Sequence, residues 1–151
     1  MNATLRRAYW PLTAVALTVY LGGWTPGIIA AIALTVLQTV HFALRAGSVR
    51  TLDVQVRAAY LVLLLAGLLP WLAPLHVAQL IGLVVRIAFD YCLMARMLAL
   101  APWNRPVPLS WALVRWVFSA PPAPGSILAR MPTGARGPMR ASPTAVPARR
   151  D

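Results

Sequence analysis

Four stretches of the chain are apolar almost without interruption: Tyr9 to Trp24, Gly27 to Leu44, Ala58 to Leu72 and Val77 to Leu100. Each is near the ~20 residues that carry a helix across ~30 Å of hydrocarbon. The first and third are short for a full crossing, which calls for local thinning of the bilayer or use of their aromatic ends. "GGWTPG" separates the first pair and "PWLAPLH" the second. Both read as tight, Pro-marked turns that close antiparallel helical hairpins. The pattern predicts an all-α integral membrane protein, with four transmembrane helices arranged as two antiparallel hairpins over residues 1–103.

The pattern weakens after the fourth stretch. Residues 104–120 hold a short apolar run with Trp111, Arg115 and Trp116, preceded by Ser110 as a candidate N-cap. About ten residues cannot cross a bilayer, so a short helix lying in the cytoplasmic interface is expected. From residue 121 to 151 the chain is Pro, Ala, Gly and Arg with little to bury, and reads as a disordered cationic tail.

Charge adds an orientation. Fourteen basic residues face three acids, for a net charge of +11, and every basic residue is arginine. Arg6, Arg7, Arg45, Arg50, Arg57, Arg96 and Arg105 all fall on one side of a four-span arrangement, and the two hairpin turns carry none. The positive-inside rule then places both termini in the cytoplasm, and Trp10 and Trp103 against Trp24 and Trp71 form two aromatic belts. The expected location is a bacterial cell inner membrane, with the first segment a retained signal anchor. Without aromatic interleaving the arginines suggest anionic lipid headgroups rather than nucleic acid as a partner. The single cysteine, Cys92, excludes an internal disulfide or a CxxC site.

The fourth segment carries polar groups that a lipid-facing helix would not. At 100° per residue His76, Gln79, Arg86 and Asp90 fall in a stripe about 80° wide, with Arg96 opposite. Arg86 and Asp90 are four apart, a spacing at which side chains on one helix face meet and can neutralise each other. The second segment has a matching face of Gly27, Ala31, Leu34, Gln38, His41 and Arg45, on which Gly27 and Ala31 make a small-xxx-small step. A rise of ~1.5 Å per residue puts Gln38, His41, Asp90 and Arg86 roughly 6 to 15 Å inside the cytoplasmic boundary. If helices two and four touch, these four residues form one buried polar cluster, either a lock between helices or a ligand or ion site. His76 belongs to the outer turn and is expected to be solvated.

The chemistry narrows the function classes. Two histidines near opposite surfaces cannot supply both axial ligands of one haem within this chain; a quinone- or haem-associated anchor that shares the group with a partner subunit is an alternative reading, in which Gln38 and His41 offer hydrogen bonds to a quinone carbonyl. Asp90 has no second carboxylate for acid and base work, and no zinc-binding spacing or phosphate loop is present. No resident cofactor or metal is therefore expected. A small homo-oligomeric transporter built on Arg86 and Asp90 is one reading, weakened because Arg86 opposes protonation of Asp90. The favoured expectation is a non-catalytic accessory, assembly or anchoring subunit, whose partners are the bilayer and a membrane protein or a second copy of itself.

Overall fold

The computed structural model describes residues 3–105, 107–121 and 127, with side chains from residue 8 onward. The expectation of a disordered tail falls almost wholly outside these residues. The described residues form six α-helices and one 3-10 turn, with no strand among them: α1 Ala3–Leu21, α2 Pro26–Ala46, α3 Leu52–Ala66, the 3-10 turn Pro70–Leu72, α4 Pro74–Phe89, α5 Leu93–Ala99 and α6 Trp111–Ser119. Two stretches, Pro26–Ala46 and Pro70–Phe89, are long and apolar enough to cross a bilayer, at mean hydropathies of 1.9 and 1.8. The apolar part of α1, Ala8–Leu21, is shorter.

Helices α1 to α4 form a ring in which each packs on its two neighbours, α1 on α2 and α4, and α3 on α2 and α4. Helices α2 and α4 are thus diagonal partners. The shared interior is Trp10, Leu17, Ile28, Ala31, Val56, Tyr60, Leu64 and Leu83. A cleft bordered by Leu21, Gly23, Thr25 and Ala73 brings both hairpin turns to one end of the ring.

Local chemistry sets the ends of the helices. Pro26 occupies the first turn of α2, where a missing N–H costs nothing, and Gly47 closes it with φ 62°. Gly27 is fixed by α1: a Cβ there would sit 2.6 Å from both Ala16 O and Tyr20 N, so the two backbones touch. The small step from Gly27 to Ala31 does permit close approach, and it is α1 that approaches. Gly67 ends α3 directly against the His76 ring, 2.6 Å from where a Cβ would lie.

The fourth apolar segment is not one helix. Asp90 closes α4 in the left-handed conformation, φ 52° and ψ 21°, which Asp tolerates better than most residues. Cys92 then starts α5, its Sγ accepting from Ala95 N. Ser110 caps α6 as its position predicts, accepting from Leu113 N at 3.2 Å. Helix α6 buries Leu113 and Val117 against Ala99 of α5.

Arg96, which periodicity turns away from the α4 stripe, is buried and reaches α6. It donates to Val117 O and, at 2.6 Å, to Ala120 O. Its guanidinium stacks 4.0 Å from the Tyr91 ring, and Tyr91 Oη donates to Phe118 O. A cation is thus set on the carbonyl end of a helix, where the backbone dipole favours it. On the other side, Gln55 exchanges amide hydrogen bonds with Asn104 at 3.1 and 2.6 Å and accepts from Trp103 Nε1 at 3.0 Å, which ties the chain after α5 to α3.

Candidate functional site

A seam of polar side chains runs through the interior of the ring. At its α1–α2 edge, Thr13 Oγ1 donates to Tyr9 O at 3.0 Å and accepts from Gln38 Nε2 at 2.9 Å. Thr35 returns its hydroxyl to Ala31 O, so it needs no partner from another helix. At the α3–α4 edge, Tyr60 Oη donates to Gln79 O at 2.9 Å while Gln79 Nε2 donates to Tyr60 O at 3.1 Å. One turn further along, His76 Nε2 lies 3.2 Å from Leu64 O. A carbonyl oxygen only accepts, so Nε2 carries a proton and that contact holds the ring's orientation.

Arginine lines the opposite end of the seam. Buried Arg57 donates Nη1 to Asp53 O at 2.6 Å and lays its guanidinium 3.5 Å from the Phe42 ring and 5.4 Å from the Trp10 ring. Arg86 lies over the same Trp10 ring at 5.7 Å. Trp10 also meets Tyr60 edge to face at 5.8 Å, so one indole gathers side chains from α3 and α4 onto α1. Aromatic faces attract guanidinium, and the attraction strengthens as water is removed.

Of the four residues grouped by depth, Gln38, His41 and Arg86 make their contacts with other side chains, and no hydrogen bond or ion pair joins one of the four to another. Gln38 is buried and bonded to Thr13 on α1. His41 is half-buried beside the Tyr9 and Phe42 rings, at 6.2 and 5.7 Å. Arg86 is half-buried on α4, and Asp90 is exposed at its end. No ion pair links Arg86 to Asp90, because the left-handed turn at Asp90 takes that residue off the helical spacing that would bring the two together. Equal depth on diagonal helices does not by itself bond their side chains to one another.

The pairing of Tyr60 with Gln79 and Leu64 with His76 also fixes the antiparallel register of α3 and α4. Carried two turns further, it sets Arg86 level with Asp53 and Asp90 level with the α2–α3 connection. Both charges therefore lie at the arginine-bearing end of the ring and not at mid-helix.

Three members of the seam escape a reading of the sequence by periodicity. His76 is buried completely rather than solvated, because Gly67 leaves room for its ring against α3 and Tyr20 covers it edge to face at 5.1 Å. Arg57 reads as a loop residue but belongs to α3, which begins at Leu52. Thr13 carries no sequence signal beyond its place in an apolar run. Among the described residues no three His, Cys, Asp or Glu side chains come together as metal ligands would. No family model, no curated protein and no solved structure matches this chain.

Proposed function

We propose that this chain is a multi-pass protein of the bacterial inner membrane, with four crossings and both termini in the cytoplasm. In this reading it serves as a non-catalytic accessory, assembly or anchoring subunit of a membrane complex. The observation that carries the proposal is an inverted polarity. Thr13, Thr35, Gln38, Arg57, His76 and Gln79 are buried, while Leu12, Val15, Ile29, Leu37, Val62 and Ile81 are exposed on the outside of the ring. In water so much exposed apolar surface drives aggregation; in lipid it is the solvated face, and polar groups turn inward to find partners.

The same inversion favours a subunit over an enzyme or a carrier. The nitrogen donors of the interior join helices: Gln38 to Thr13, Gln79 to Tyr60 and His76 to Leu64. The surfaces offered to a protein partner or to lipid are the outer helix faces and the side of α6 that exposes Trp111 and Arg115, suited to the interface and to anionic headgroups. A transporter built on Arg86 and Asp90 draws less support, since Asp90 lies outside the seam. Purification of the tagged full chain in a mild detergent tests the proposal. A stoichiometric membrane-protein partner is the expected result; a lone monomer or homodimer from native membranes would overturn it.

A further inference from the structure

Two side chains on one face of α4 carry buried acceptors that no protein group serves, His76 Nδ1 and Gln79 Oε1. They are three residues apart, neighbours on a helix surface. Neither can turn over to relieve the deficit. His76 must keep its Nε2–H toward Leu64 O, and Gln79 must keep its amide nitrogen toward Tyr60 O, because reversal would set acceptor against acceptor. Such orphans are costly, and more so in a bilayer, where water does not stand in.

An open cleft of ≈ 270 Å³ lies at this end of the ring, lined by Tyr20, Leu21, Gly23, Thr25, Ala73 and His76. Gly67 and Leu64 take the Nε2 end of the imidazole, and the His76 side chain itself, fully buried, is one of the residues that wall the cleft. The Tyr20 ring stands edge-on to the imidazole, with centroids 5.1 Å apart, and supplies an aromatic wall.

We propose that His76 Nδ1 and Gln79 Oε1 form an acceptor pair that holds the hydrogen-bond donor of a small molecule admitted from this cleft. The ligand class is a neutral or singly cationic molecule bearing a hydroxyl or an amine. Molecules without a hydrogen-bond donor are excluded, because the pair can only accept. The chemistry of the site stands on these contacts; only the opening of the cleft toward the non-cytoplasmic side rests on the topology proposed above.

The test is nitrogen NMR of the full chain, labelled with 15N-histidine and held in lipid nanodiscs. The chain has two histidines, so His41→Gln assigns the His76 signals. Phenol and methylammonium are the donor probes, and anisole, which has the ring but no donor, is the control. His76 is expected as a single Nε2–H tautomer whose Nδ1 signal moves saturably in the hydrogen-bonded direction with phenol, methylammonium or both, and not with anisole. Gln79→Leu should weaken that binding about tenfold, the worth of one neutral hydrogen bond. Ala73→Phe, at the exposed mouth of the cleft, should abolish the response while leaving the tautomer intact. A protonated Nδ1, an equal response to anisole, or an Nδ1 bonded before any probe and indifferent to both would each overturn the proposal. Cysteine labelling of the hairpin turns is independent of these outcomes and separates failure of the site from failure of the topology.

Discussion

Tyr60 and Gln79 each use a side chain to bond the other's backbone carbonyl, at 2.9 and 3.1 Å, across the contact between α3 and α4. Neither bond depends on the other partner's side chain, so their losses should be independent. Tyr60→Phe and Gln79→Leu are each expected to cost about 1 kcal/mol, and the double variant about the sum. Equilibrium unfolding in detergent checks this, and a strongly non-additive double variant would show that the two bonds act as one unit.

The two tight glycines should behave differently. Gly27→Ala drives a methyl into the α1 backbone, which has nowhere to move, and should destabilise by roughly 1–3 kcal/mol. Gly67→Ala meets the His76 side chain instead. Adding His76→Ala should therefore recover part of the loss at position 67 and none of the loss at position 27, as read by thermal melting of the purified protein.

Asp90 is the described non-glycine residue with positive φ. Asp90→Gly should leave stability unchanged or raise it by up to about 1 kcal/mol, and Asp90→Val should lower it by roughly 1–2 kcal/mol. Since no ion pair joins Asp90 to Arg86, Arg86→Leu should cost the same in the wild-type and Asp90→Gly backgrounds. A smaller cost in the second background would reveal a coupling between the two charges.

Arg96 holds the end of α6 through two carbonyls, and its planar fork serves both. Arg96→Leu should release α6 and increase amide hydrogen exchange throughout Trp111–Ser119, with little change in α2. Arg96→Lys, a point charge on a flexible stem, should not restore protection.

These sites mark how far the sequence could be read. Caps and turns were legible because their chemistry is local: Ser110 begins α6, and the two Pro-marked turns meet at one end of the ring. The small face from Gly27 to Ala31 was legible as a packing surface. Its partner was not, since periodicity identifies a face without saying which helix covers it. That is why Gln38 could be placed at the depth of Arg86 and Asp90 while its bond runs to Thr13 on α1.

The break at Asp90 was hidden for a related reason. A run of apolar residues with one aspartate reads as continuous helix until α6 is known to pull Tyr91 and Arg96 toward its carbonyl end. Burial of His76 depends on the missing side chain at Gly67, nine positions earlier, which no helical spacing connects to it.

The proposed membrane bundle has an apolar outside, its hairpin turns on one side of the bilayer and its arginine-rich end on the other. Cysteine-accessibility labelling of intact cells tests it most directly, in a Cys92→Ser background that preserves a capping side chain at that position. Single cysteines at positions 25 and 72 should react with an impermeant reagent from outside, and those at positions 49 and 104 only after the membrane is opened. Labelling of positions 25 and 49 from the same side, or recovery of the protein in the soluble fraction, would contradict this topology.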